Sequence, residues 1–150
     1  QAFIGICEKI CVPFQADLTV ELPQAQSIED SNSRAIDDAF ARLPETAGTD
    51  FRIEKATLDP SGKQLTVAAQ LPAFRPSGVA ADLFVAGPEG FAFGPPKLIS
   101  DMGGVAQWSV RVDPPSGHEM ASQTVTLDVV VTLGQRAMEQ SLQVSPVDER

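Results

Sequence analysis

The sequence is poor in the residues that most often build catalytic centres. It has one histidine, one tryptophan, two cysteines and no tyrosine in 150 residues. A single histidine makes a Ser-His-Asp site or a multi-histidine metal site a poor expectation, and nothing of the form G-x-S-x-G occurs. Basic residues are also scarce: Lys+Arg number 11 against 20 Asp+Glu, a formal charge of −9. That balance argues against nucleic acid and against anionic membrane surfaces, whose phosphates require a basic patch. No apolar run approaches the roughly 18 residues that span a bilayer, so no direct membrane insertion by this chain is expected. Two cysteines are too few for a disulfide scaffold. Gly87, Pro88, Glu89 and Gly90, and the pair Gly103-Gly104, read as turns. No phosphate-binding glycine loop is visible.

What is present is globular. The composition is 43% hydrophobic and 21% charged, within the range of folded domains. Residues 1–6 read as a strand that enters a cysteine motif. Residue 1 is Gln, no signal-like segment precedes it, and a strand at the very terminus needs neighbours. The expectation is a fragment or processed product, with a further β-rich segment before Gln1 in the intact protein. Residues 16–22 alternate Ala16, Leu18, Val20 and Leu22 with polar residues, the period of a half-buried strand, and Pro23 ends it. Ser27 to Asp30 has the form of a capping box. Ile36, Ala39, Phe40 and Leu43 then make one apolar helical stripe, which Pro44 stops. Residues 45–50 read as a linker. Beyond Asp50 the pattern is short strands at 51–58, 63–71, 79–86, 105–112, 124–133 and 137–144. Asp59, Pro60, Ser61 and Gly62 suit a type I turn, and Gly134-Gln135 suits a type II′ turn. Trp108 alternates with Val110 and Val112 as a core anchor. The fold class expected is all-β, an immunoglobulin-like antiparallel β-sandwich with one short helix. The division expected is a segment 1–48 carrying the cysteines and the helix, truncated upstream, a sandwich 49–146, and a frayed tail 147–150.

The concentrated chemical signal is Cys7-Glu8-Lys9-Ile10-Cys11-Val12-Pro13. On a helix, positions four apart hold their Cβ atoms about 5–6 Å apart, wider than the 3.5–4.5 Å of a disulfide. On one strand, four rises of about 3.3 Å separate them further still. A Cys7–Cys11 bond therefore needs a turn or bulge between the two. Closing a five-residue ring is worth only about 2 kcal/mol in chain entropy, a weak staple. A short constrained ring is more reducible than a relaxed structural disulfide. Lys9 favours a thiolate and Glu8 opposes it. Phe3, Ile4, Ile6, Ile10, Val12 and Phe14 supply apolar flanks suited to shielding one sulfur while the other reacts. Two other readings stay open. The pair is a plain structural disulfide in a β-sandwich interaction module, or, with His118, a copper-binding and delivery set like the C-x₃-C pair of Sco proteins. Those proteins use a thioredoxin-like βαβ frame, a pattern this sequence lacks. A zinc site needs four ligands and the second pair is missing. The scattered Met102, Met120 and Met138 form no copper-type cluster, so neither a metal nor a further cofactor is expected.

The run from Ile4 to Pro13, the following 16–22 segment and the helix ending Ala39-Phe40-Ala41-Arg42-Leu43-Pro44 resemble the N-terminal periplasmic domains of DsbD-like thiol:disulfide interchange proteins. The ScsB-like branch is the nearest in kind, and the likeness corresponds to the C-terminal portion of such a region. It is good over residues 3–44 and diffuse beyond, where it consists of β-richness. The resemblance implies a periplasmic protein-disulfide reductase type of activity. Electrons would come from a membrane-embedded donor and pass to periplasmic thioredoxin-fold partners. Cys7 and Cys11 match the redox pair, with Cys11 favoured as the attacking sulfur. The cysteine spacing is shorter than in the DsbD branch itself, and the aromatic cap of that branch falls upstream of Gln1.

Overall fold

A computed structural model describes residues 1–7, 11–19, 30–75, 78–115 and 124–147. The chain divides into two compact units, Gln1–Asp37 and Asp38–Arg150.

The first unit is built on a two-stranded antiparallel ribbon of β1 (Ala2–Cys7) and β2 (Cys11–Ala16). Its open end is closed by Gln1 Nε2, which donates to Asp17 Oδ1 at 3.0 Å. Pro13 lies inside β2 opposite Gly5. A proline is tolerated there because each strand of a two-stranded ribbon has a free edge that needs no N–H. The strand expected over 16–22 is corrected by this pairing: β2 ends at Ala16, residues 17–19 have no regular structure, and 20–22 lie outside the described residues. The helix α1 runs over Asp30–Phe40. The capping residue Ser27 lies outside the described residues. After Phe40 the chain tightens into turns, with Arg42 N–H donating to Ala39 O and Leu43 N–H to Phe40 O. The helix thus ends before Pro44, as the ring of that proline demands.

The second unit is the β-sandwich. One sheet has the order β3-β11-β10-β6, from β3 (Glu45–Thr46), β11 (Arg136–Val144), β10 (Val125–Leu133) and β6 (Asp82–Ala86). The other has the order β4-β5-β9-β7, from β4 (Arg52–Leu58), β5 (Gln64–Gln70), β9 (Val105–Asp113) and β7 (Ala92–Phe93). A further strand, β8 (Lys97–Met102), also pairs with β9. Alternate residues of the long strands face inward. Leu65, Val67 and Ala69 meet Ala106, Trp108, Val110 and Val112 from one sheet, and Leu127, Val129, Val131 and Met138 from the other, in one apolar cluster. Trp108 is 2% exposed at its centre. Among the described residues no polar or charged side chain is buried, so the core carries no desolvated charge.

The turns obey their glycines. Gly62 N–H donates to Asp59 O at 2.9 Å, closing the turn expected from the sequence. Between β10 and β11, Gly134 has φ 62° while, among the described residues, no non-glycine residue has positive φ. That combination fits type II′ and excludes type I′, which needs positive φ at both central positions. Gly103 and Gly104 are both positive, at 65° and 81°, and join the paired residues Met102 and Val105, as a type I′ hairpin requires.

Two further expectations change. The segment 45–50 is not a plain linker: β3 pairs in parallel with β11, Met138 opposite Glu45. Arg136 holds it there, its Nε donating to Glu45 Oε1 at 2.8 Å and its Nη1 to Asp50 Oδ2 at 3.1 Å. The guanidinium also lies 5.4 Å from the centroid of the Phe51 ring. Near the other end, Pro146 bridges Leu58 and Val147 N–H donates to Leu58 O at 3.1 Å. Val147 is therefore bound to the sandwich; 148–150 lie outside the described residues.

Candidate functional site: the cysteine hairpin

The register of the β1–β2 ribbon runs from Ala2 opposite Ala16 to Cys7 opposite Cys11. β1 ends at Cys7 and β2 starts antiparallel to it at Cys11, the reversed chain direction that a bond between these cysteines requires; residues 8–10 lie outside the described residues. Directly opposed residues of an antiparallel ladder have Cα atoms about 4.5 or 5.5 Å apart. Both distances fall inside the roughly 4.4–6.8 Å that a disulfide spans. The sequence leaves helix, strand and turn open for this motif; the backbone resolves it as the mouth of a hairpin.

The same register sorts the flanking residues. Positions 3, 5 and 7 alternate with 2, 4 and 6 on β1, and opposed positions share a face. Ile4 opposite Phe14 and Ile6 opposite Val12 thus form, with Ala2 and Ala16, an apolar face. Positions 3, 5, 13 and 15, which are Phe3, Gly5, Pro13 and Gln15, alternate with that face and continue toward register positions 7 and 11. The flanks expected to shield the sulfurs therefore divide. Of those described, only Phe3 falls in the register series of the cysteines; Ile4, Ile6, Val12 and Phe14 belong to the opposite series. Their exposures run from 50% for Ile4 to 61% for Ile6. Next to positions 7 and 11 in that series stand Gly5 and Pro13, the one without a side chain and the other rigid. Lys9, Glu8 and Ile10 lie outside the described residues, as does His118. Among the described residues no cluster of His, Cys, Asp or Glu is arranged to hold a metal ion, and no helix is long and apolar enough to cross a membrane.

No curated protein matches the chain. Among solved structures, the N-terminal periplasmic domain of ScsB from Proteus mirabilis matches with a TM-score of 0.69 at 17% identity. The match covers 95% of this chain and 55% of that one, so the chain spans little more than half of the solved domain. At that identity the likeness is one of fold. The model of the family described as "Domain of unknown function (DUF8393)" matches residues 42–147, which takes in the whole sandwich and stops short of the cysteine hairpin. The match extends over more than half of the sequence, and the chain belongs to the DUF8393 family.

Proposed function

We propose that the chain performs thiol–disulfide exchange through Cys7 and Cys11 as part of a periplasmic electron relay. The observation that carries this reading is the antiparallel register that sets Cys7 opposite Cys11. The fold shared with a periplasmic ScsB domain supports it. In the reduced state one thiolate, with Cys11 favoured, attacks the disulfide of a partner. A mixed disulfide forms and the partner's leaving sulfur departs as a thiolate. Cys7 then attacks the Cys11 sulfur, releases the reduced partner and leaves the Cys7–Cys11 disulfide. Two electrons have passed to the partner, and a membrane-embedded dithiol donor restores the pair. The partners proposed are thioredoxin-fold proteins of the periplasm, and the cysteines need no further cofactor for this chemistry. The short ring suits the task because it holds the resolving thiol beside the attacking one while stabilising the fold little.

The test is the reduction potential of the Cys7–Cys11 pair, by glutathione titration with thiol trapping and mass readout. The expected value lies between about −120 and −270 mV, among exchange catalysts. A value below about −300 mV is that of a structural disulfide and would replace the relay with a binding module.

A further inference from the structure

A basic cavity of about 410 Å³ opens on the outer face of the sandwich, far along the chain from the cysteines. Lys63, Lys97 and Arg111 line it, together with Gln64, Gly94 and Ser109. Three of the 11 basic residues of a chain with charge −9 therefore converge on one concavity. The β-ladder dictates the convergence. Ser109 and Arg111 alternate with the buried Trp108, Val110 and Val112 and so face outward. Lys97 is opposite Ser109 on one side, and Gln64 is opposite Arg111 on the other.

The hydrogen bonds leave donors unspent. Gln64 Nε2 donates to Ser109 Oγ at 2.7 Å, which leaves the hydroxyl proton of Ser109 free to be given to an acceptor. Arg111 Nη2 meets Asp113 at 2.9 Å, and the rest of its planar fork remains for a second oxyanion. Among the described residues neither Lys63 nor Lys97 has a carboxylate within ion-pair distance. Gly94 completes the cradle: its N–H bonds to Arg111 O at 2.9 Å. A Cβ there would lie 3.2 Å from Arg111 Cβ and 3.8 Å from Nε, so any other residue would press the arginine stem outward by a few tenths of an ångström.

We propose that this cavity binds a multiply charged oxyanion, either a phosphate group or clustered carboxylates. Lys63 and Lys97 supply the field, and Arg111 and Ser109 the directed donors. The site is independent of the thiol chemistry and stands whether or not the cysteines exchange.

The test is a titration of the ¹⁵N-labelled chain at low ionic strength with pyrophosphate in one arm and citrate in the other, against matched chloride. Saturating shifts centred on the amides of Lys63, Gln64, Gly94, Ser109 and Arg111 are expected, with a dissociation constant of about 1 mM or tighter. Lys97→Gln and Lys63→Gln should each weaken binding about three- to fivefold, the range of one exposed charge. Lys55→Gln, outside the cavity, should leave binding unchanged. Gly94→Ala should weaken it further, and the lysine variants keep the test valid if that change unfolds the chain. Saturation by pyrophosphate alone assigns a phosphate ligand, and by citrate alone a carboxylate one. Unsaturable drift in both arms, or an equal effect of Lys55→Gln, overturns the site.

Discussion

Gln140→Leu isolates one bond that ties the two sheets together. The edge strand β4 carries a bulge between Ile53 and Lys55, where Glu54 has no partner on β5. The Ile53 N–H does not spend itself on the ladder. It donates to Gln140 Oε1 at 2.9 Å, from β11 of the facing sheet. Ile53 is 5% exposed, so water cannot readily replace that acceptor. Leucine keeps the approximate volume and removes the oxygen, which leaves a buried donor unpaired at a cost of about 1–3 kcal/mol. Leucine also gains a little by burying apolar surface, so a net loss of about 1–2 kcal/mol is expected. For a domain of this size that lowers Tm by about 3–8 °C. The assay is urea unfolding followed by Trp108, the sole tryptophan and a core residue, with amide exchange at Ile53 as the local readout. The midpoint should fall with m unchanged, and Ile53 should lose protection. Gln140→Glu retains an oxygen acceptor and should recover most of the loss at neutral pH. A Leu variant within about 0.5 kcal/mol of the parent, with Ile53 still protected, would refute the reasoning.

Further outcomes follow from the same structure. Changing Cys7 and Cys11 together to Ser should abolish disulfide exchange with a thioredoxin-fold substrate. It should leave the Trp108-reported unfolding of the sandwich nearly unchanged, because a five-residue ring contributes at most about 2 kcal/mol and lies in the other compact unit. Gly104→Ala should cost about 1–2 kcal/mol in urea unfolding, since alanine resists a φ of 81° and its Cβ would stand 3.2 Å from Gln70 Nε2. Asp59→Ala should destabilise by about 1–2 kcal/mol, because its carboxylate accepts from the N–H groups of Lys63 and Gln64 at 2.8 and 2.9 Å. Acid should also weaken the sandwich. Burial pushes the Asp59 pKa up, but the Ser61 hydroxyl and the N–H groups of Gln64, Lys63 and Ser61 outweigh it and hold the carboxyl below its ordinary value. The Arg136 hydrogen bond, outweighing slight desolvation, does the same for Asp50. For depressed carboxyls the stabilisation is complete above the unfolded value of about 3.9 and is lost as pH falls through the folded values. Melting temperatures from pH 6 down to pH 2 should therefore decline below about pH 4, and less steeply in Asp59→Asn.

The sandwich was largely legible because its long strands carry their own inside and outside. Val125, Leu127, Val129 and Val131 alternate in sequence and are all buried in the fold, and the pleat makes the first observation imply the second. Turn chemistry is equally local: Gly134 is read at once as a residue for positive φ. The cysteine pair was visible as a motif because five residues hold both thiols. Local pattern failed where the deciding partner is remote. Alternation over 16–22 suggests a strand, yet β2, with Pro13 inside it, is fixed earlier by its pairing with β1. The two residues of β3 have no periodicity to read; they are a strand because β11 and Arg136 receive them some ninety residues later. The basic cavity is illegible in the sequence for the same reason. Lys63, Lys97 and Arg111 are unremarkable singly, and only the β5–β9–β8 register sets them around one space.

The sequence by itself determined the strand-rich class, the core alternation, the turn glycines and the identity of the two thiols, since each depends on neighbours within a few residues. Only the tertiary structure decided that Cys7 stands opposite Cys11, that Ile4, Ile6, Val12 and Phe14 alternate with the cysteine register, and which cations meet. Those outcomes depend on strand register. A shift of one residue moves every side chain to the other face, and it is pairing with distant backbone that sets the shift.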